Sequence, residues 1–262
     1  MRLDGKIALV TGAGSGIGRA LAAELGERRA LVILAGRRLD ALQDSQARLP
    51  YPERGIVVDA DITSPRGRDQ LIRRVEGLGR LDLLVNNAGV VVPARFEEEA
   101  EDDRRAMIET NLLAPMALTQ ALLPWLRAAG RARVVNVGSL FGDIAFPCFA
   151  SYSASKFGLR GWSDALRREL SGSGVGVTYV APRATRTPAA EGFGALTEAF
   201  AMRFDAPERV ARRIADAIEA DKAQLYPGGG ERLFLLAQRL APGLMDRGLR
   251  RATRQALAVL KA

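Results

Sequence analysis

Short apolar runs rich in β-branched residues alternate along this chain with longer stretches of helical period. The runs are Ile7–Val10, Leu31–Leu34, Gly55–Val58, Leu81–Val85, Arg133–Val137 and Val175–Val180, with Gln224–Tyr226 as a weaker seventh. Between them, Ile17–Glu27, Leu39–Arg48 and Pro65–Leu78 space their apolar residues three and four apart. Apolar strands separated by amphipathic helices predict parallel strands buried on both faces. Right-handed crossovers then wind the helices onto both sides of one sheet. The expected fold is α/β, a single doubly wound domain with a mostly parallel seven-stranded sheet. No internal repeat, low-complexity tract or linker divides the chain.

Composition narrows the class. The chain has 262 residues, 48% hydrophobic and 26% charged, enough for one large domain with a substantial core. No stretch approaches the roughly 20 apolar residues of a membrane span. Met1–Lys6 leads almost directly into a strand and leaves no room for a signal peptide. A single cysteine, Cys148, excludes an internal disulfide framework and suits a reducing compartment, so the expected location is cytoplasmic. The net charge is +8, yet all of the 38 basic residues except Lys6, Lys156, Lys222 and Lys261 are arginine. They are spread among acids with no lysine-rich arm, so an arginine-biased composition explains the charge better than nucleic-acid binding does. The absence of histidine removes His-dependent triads and imidazole metal sites, and no metal is expected.

Immediately after the first run comes Thr11-Gly-Ala-Gly-Ser-Gly-Ile-Gly18, which opens a helix at Arg19. Gly12, Gly16 and Gly18 let the backbone turn tightly and approach a pyrophosphate at the helix N-terminus, beside Ser15 and Ile17. Between a first strand and a first helix of a parallel sheet, this turn points to a dinucleotide and a Rossmann-type domain. The second strand ends at Ala35-Gly-Arg-Arg38. Where a carboxylate would hold the ribose 2′-hydroxyl of NAD, the chain has Gly36 followed by Arg37 and Arg38. A small residue makes room for a 2′-phosphate and Arg37 can pair with it, so the expected cofactor is NADP(H). Asp61 and Ile62 follow the third strand, where adenine should lie, and Asn87-Ala88-Gly89 follows the fourth. Both lie where ligands bind, outside the carboxyl ends of parallel strands.

Tyr152 and Lys156 are four apart and share one helix face. A free phenol titrates at about 10, and a nearby ammonium lowers that value toward the range where acid–base catalysis is efficient. Ser139 follows the run Val134–Val137, so its hydroxyl could face the phenol across a pocket. Pro115 has no N–H to offer the carbonyl of Asn111, so the helix should bend there and leave that carbonyl free.

Taken in order, Thr11–Gly18, Asp61, Asn86–Gly89, Asn111, Ser139, Tyr152 and Lys156 resemble the short-chain dehydrogenase/reductase family. The resemblance runs from Lys6 to about Thr187 and more loosely to Pro227. It implies hydride transfer between a nicotinamide and an alcohol or carbonyl, with Asn111, Ser139, Tyr152 and Lys156 as the catalytic set. Ser139 would hydrogen-bond the substrate oxygen, and Tyr152 would give or take the proton. Lys156 would also hold the nicotinamide ribose, and the Asn111 carbonyl a water linked to that lysine. Pro182, Thr185 and Thr187 would add cofactor contacts. The family's usual glycine and aliphatic residue are here Arg183 and Thr185. If the backbone at 183 needs a positive φ, arginine is strained there. The family's members are usually dimers or tetramers through the helices carrying Asn111 and Tyr152, so a homodimer or homotetramer is expected.

The expected division is 1–228 for the nucleotide-binding and catalytic domain, with a substrate lid at about 188–206, and 229–262 for a helical extension. Phe193, Leu196, Phe200, Met202 and Phe204 make the lid apolar, and Phe141, Phe146 and Phe149 lie between Ser139 and Tyr152. Either set could face a substrate or pack on the protein itself. The leading reading is an NADP(H)-dependent reductase of a small hydrophobic ketone or aldehyde, or oxidation of the matching alcohol. A 3-oxoacyl-thioester reductase and a non-catalytic NADP-sensing or scaffold protein are the alternatives. In the extension, Arg247, Arg250, Arg251 and Arg254 fall on one face against Leu249, Ala252, Ala256 and Leu260. Packing on the domain or on a partner subunit is preferred to peripheral contact with a membrane.

Overall fold

A computed structural model describes residues 1–194, 196–228 and 231–260. The strands are β1 (Ile7–Thr11), β2 (Leu31–Gly36), β3 (Gly55–Asp59), β4 (Leu83–Asn86), β5 (Ala132–Val137), β6 (Val175–Val180) and β7 (Gln224–Leu225). They form one seven-stranded sheet in the order β3-β2-β1-β4-β5-β6-β7. Every pairing is parallel. The order reverses beside β1, which pairs with both β2 and β4. A crevice opens at such a point, where neighbouring crossovers leave on opposite sides. The register aligns Thr11 with Ala35, Gly36 with Asp59, and Asn86 with Asn136, which brings the carboxyl ends of the central strands to one edge.

Alternation along β1 divides the interior. Ala8 and Val10 face a core closed by α1 (Gly16–Glu27), α2 (Leu39–Ala47) and α9 (Pro207–Glu219). Leu9 faces the opposite core, closed by α3 (Pro65–Glu76), α5 (Ala114–Ala128) and α6 (Ala150–Glu169). Strands covered on both sides account for the near-continuous apolar runs. The fourth strand starts at Leu83 rather than Leu81, because Leu81 donates its N–H to the carbonyl of Trp125. The helix α4 (Glu101–Ile108) widens into a π-helical turn at Glu109–Leu113, directly before Ala114-Pro115. A π turn absorbs the lost donor of Pro115.

Two short helices, α7 (Pro188–Glu191) and α8 (Leu196–Ala199), lie in the segment expected as a lid. The chain ends in a hairpin of α10 (Glu231–Leu240) and α11 (Pro242–Val259). Ala256 of α11 is fully buried in a third apolar cluster with Phe149 and Leu196, and Phe141, Phe193 and Phe200 pack against it. The extension thus packs on its own domain, over the segment 188–206. Among the described residues, no helix is long and apolar enough to cross a membrane.

Candidate active site

One cavity of about 770 Å³ follows the carboxyl ends of the strands, from Gly12 and Arg37 past Asn87 to Ser139, Tyr152 and Lys156. Its first wall is the turn between β1 and α1. Gly12 and Gly16 hold positive φ of 66° and 54°, and a Cβ on Gly18 would sit 2.2 Å from the carbonyl oxygen of Gly12. Only glycine permits this turn. Gly16 and Gly18 therefore shape the site without lining it, while Gly12, Ser15 and Ile17 line it. Ser15 caps α1 in extended geometry without a side-chain hydrogen bond, which leaves the first-turn N–H groups for an anion.

Gly36, Arg37 and Arg38 form the far end of the cavity. Both arginines are exposed, and neither has an ion-pair partner among the described residues. Asp61 and Ile62 line the adjacent wall. The Asp61 carboxylate accepts from the N–H and hydroxyl of Thr63 at 2.9 and 2.8 Å. Asn87, Ala88 and Gly89 cross the middle. Asn87 Nδ2 donates to the Thr11 carbonyl at 2.9 Å, and Thr11 Oγ1 accepts from the N–H groups of Asn87 and Ala88 at 3.0 Å each. These bonds lock β1 and β4 together at their ends. The cradle fits a dinucleotide: a glycine turn without room for Cβ atoms, an open helix N-terminus and two guanidinium groups without partners.

Ser139, Tyr152 and Lys156 converge at the other end. Lys156 is 4% exposed, and its Nζ donates to the Val137 carbonyl at 3.1 Å. Burial lowers its pKa to about 8, so the ammonium persists at neutral pH. The Nζ lies 5.7 Å from the centroid of the Tyr152 ring. Tyr152 keeps partial contact with the cavity, yet burial pushes its pKa up to about 12, and the Ser139 hydroxyl only partly opposes this. The expectation that Lys156 would draw the phenol toward neutrality is corrected here, because desolvation outweighs a cation at that distance.

Asn111 stands behind this group and does not line the cavity. Its Oδ1 accepts from the Val90 N–H at 2.8 Å, and its Nδ2 donates to the Val90 carbonyl at 2.9 Å and to Ser155 Oγ at 3.1 Å. A Cβ added at Gly89 would lie 3.1 Å from Asn111 Oδ1 and 3.6 Å from Lys156 Nζ, so the three meet at one point. The side chain of Asn111 therefore holds the wall to α6, a role the sequence did not disclose.

The loop after β6 supplies Pro182, Thr185 and Thr187 to the cavity. Thr185 Oγ1 is turned back to the Arg183 carbonyl at 3.0 Å. Arg183 does not have positive φ, so the feared strain is absent. Its guanidinium instead reaches Asp205, Nε to Oδ2 3.2 Å, and ties the loop to the end of the segment 188–206. Phe141, Phe146, Phe193, Phe200 and Met202 line the apolar end, whereas Phe149, Leu196 and Phe204 do not. Phe149 and Leu196 pack inside the third cluster. Sequence reasoning also missed Phe234, which arrives from α10, and Tyr179, whose hydroxyl donates to the Ser139 carbonyl at 3.2 Å. The buried chain linking Asn86, Asn136 and Ser163 beneath the site, with bonds of 2.8 Å, was missed as well. No local pattern marks any of these.

Replacing Asn111 with alanine strands the partly buried Val90 amide and carbonyl. We expect a loss of about 1–3 kcal/mol of stability in urea titration. An unchanged midpoint would show that the amide clamp carries no energy.

The comparisons with known proteins agree with this geometry. The family model described as short chain dehydrogenase matches residues 6–195. The chain is 35% identical over 182 residues to the ketoacyl reductase HetN of a Nostoc strain, covering 69% of this chain and 63% of that protein. It is 34% identical over 227 residues to the 3-oxoacyl-[acyl-carrier-protein] reductase FabG of Thermotoga maritima, covering 82% of this chain and 90% of that protein. A short chain dehydrogenase from Burkholderia cenocepacia, solved in complex with NADP, superimposes with a TM-score of 0.80 at 25% identity, over 95% of this chain and 99% of that one. Motif order, sheet order and the extent of these matches make the chain a member of the short-chain dehydrogenase/reductase family.

Proposed function

We propose that the protein reduces a hydrophobic ketone or aldehyde with NADPH, or oxidises the matching secondary alcohol. The observation that carries this reading is the convergence of Ser139, Tyr152 and Lys156 at the seam between a nucleotide-shaped cradle and an apolar end. A bound dihydronicotinamide supplies the hydride that reduces the carbonyl carbon. Ser139 Oγ donates to the substrate oxygen and stabilises the charge developing there. Tyr152, kept protonated by burial, passes its phenolic proton to that oxygen. The Lys156 ammonium favours the tyrosinate left behind. Gly12, Ser15, Gly16, Ile17 and Gly18 form the turn that would hold the pyrophosphate with its N–H groups, and Asn87, Ala88, Gly89, Pro182, Thr185 and Thr187 would flank the rest of the nucleotide. The aromatic end excludes water from the transfer.

Similarity to FabG, together with an arginine-rich exterior, supports a second reading in which the substrate is a 3-oxoacyl thioester. A panel of ketones, aldehydes and 3-oxoacyl thioesters separates the two. NADPH binding without reduction of any of them would instead favour a nucleotide-sensing protein, a role that needs no tyrosine–lysine pair.

Tyr152→Phe should lower kcat by about a hundredfold or more while NADPH affinity is retained. Reductive kcat/KM should be level at neutral pH and fall above about 8, where Lys156 loses its proton. A rate that survives Tyr152→Phe would sink the mechanism. NADP(H) specificity rests on Arg37 and Arg38, and the double alanine variant should weaken NADPH binding about tenfold or more with little change for NADH. Tighter binding of NADH by the unaltered protein would overturn that assignment. We also propose a homo-oligomer through the helices around Asn111 and Tyr152, where Leu113 and Phe157 stand exposed. Sedimentation velocity should show a dimer or tetramer that Phe157→Glu dissociates, and a monomeric unaltered protein would rule it out.

A further inference from the structure

The C-terminal hairpin carries a surface that neither the cradle nor the reaction explains. Phe234, Leu236, Leu240 and Leu244 are 48%, 52%, 76% and 64% exposed, and all lie within α10 and the first turn of α11. Leu236 and Leu240 are one turn apart on α10, and Leu240 and Leu244 flank the sharp Ala241-Pro242 turn that joins the helices. Leu236, Leu240 and Leu244 gather at this exposed tip and mark a contact surface, while Phe234, two residues before Leu236, faces another side of α10. Next to this tip, the outer face of α11 presents Arg247, Arg250, Arg251 and Arg254, all exposed and none with an ion-pair partner among the described residues. Arginines elsewhere include paired ones, such as Arg28 with Glu24, Asp216 and Glu219, and unpaired ones, such as Arg37 and Arg38; on α11 four unpaired ones share one face. The inner face of α11 is already occupied, with Met245 and Ala256 buried.

Position gives this surface meaning. Phe234, on the same helix as the tip, is half-exposed and lines the cavity together with Phe200 and Met202. The apolar end of the cavity therefore opens next to the hairpin. A cationic helix face with an apolar wedge at its end matches the interface of an anionic bilayer, where guanidinium groups meet phosphates and leucines enter the acyl boundary. An acidic protein would satisfy the arginines but would need an apolar patch in matching position for the leucine tip, whereas an anionic bilayer offers both along its whole surface.

We infer that the α10–α11 hairpin docks the protein on an anionic lipid surface and turns the apolar mouth of the cavity toward it. The docking is peripheral and reversible, since no helix among the described residues can span a bilayer. A hydrophobic substrate then passes from the acyl layer to the cavity along Phe234 without crossing bulk water. The docking stands on the hairpin alone, whatever carbonyl compound is reduced.

The test is co-sedimentation of the full chain with phosphatidylcholine vesicles, with and without phosphatidylserine. The unaltered protein should pellet with the anionic vesicles, stay soluble with the neutral ones, and be released by salt. In the variant Arg247→Glu/Arg250→Glu/Arg251→Glu/Arg254→Glu, each reversed charge should lower partitioning about fivefold or more. Leu240→Ser/Leu244→Ser should also lower it, and both variants should keep their NADPH binding and melting temperature. No partitioning of the unaltered protein, or equal partitioning of the charge-reversed variant, would overturn the inference. So would sedimentation velocity showing that Leu240→Ser/Leu244→Ser dissociates an oligomer without changing vesicle binding, because the tip would then be an interface between copies. Loss of reduction with vesicle binding intact would count against the proposed reaction and not against docking.

Discussion

The buried ammonium of Lys156 is the constraint around which the rest is arranged. A lysine that is 4% exposed loses most of its hydration, and the Val137 carbonyl at the end of β5 accepts one of its protons. Only a strand end offers such a carbonyl, because carbonyls within the ladder are already paired. The residue must therefore sit on a helix that crosses the carboxyl edge of the sheet, and α6 does so. The same position places Tyr152 one helical turn away and Ser139 at the end of β5. Burial works on the two titrating groups in opposite directions, lowering Lys156 to about 8 and raising Tyr152 to about 12. At neutral pH the lysine is charged and the phenol neutral, the pairing that a proton donor to a nascent alkoxide needs.

That arrangement works against stability. The amine titrates near 10.5 in the unfolded chain and near 8 in the fold, so the unfolded state binds more protons between those values. The penalty is in full force below about 8 and fades as pH rises toward 10.5. The two apolar cores on either side of the sheet must carry it. They contain side chains with no exposure, such as Leu9, Leu25, Leu118 and Leu122. The strain of function is thus concentrated at one edge and offset by the body of the sheet.

What could be read from the sequence followed from local regularity. Period two and period 3.6 are set by neighbours in the chain, so the strands, the helices and the parallel order emerged from the pattern. The glycine turn was readable because a missing Cβ at Gly12, Gly16 and Gly18 has one strong steric use. Tyr152 and Lys156 were readable because a spacing of four fixes a shared helix face. The residues that escaped depend on contacts between distant segments. The amide of Asn111 reaches Val90, the hydroxyl of Tyr179 reaches Ser139, and Phe234 joins Phe200 in the cavity wall. Pro115 illustrates the boundary. Its missing donor predicted a disturbance at this place, but not the π-helical form that the disturbance takes.

The two ends of the cavity are built by different means, and this explains why one was easier to read. The nucleotide end is backbone, with glycine conformations and strand-end amides whose positions follow from the sheet. The substrate end is side chains gathered from the loop after β5, the segment 188–206 and the C-terminal hairpin. Its cluster of Phe141, Phe149, Phe193, Phe200 and Ala256 lies apart from both sheet cores. Edge-to-face contacts at 5.4 Å between Phe146 and Phe200 and between Phe149 and Phe193 hold it together. A small satellite cluster can open locally while the sheet stays intact. The tie from Arg183 to Asp205 and the packing of Ala256 on α8 are the restraints on that opening. Because α11 supplies one of these restraints from its inner face, its outer face belongs to the same helix that restrains the wall of the cavity.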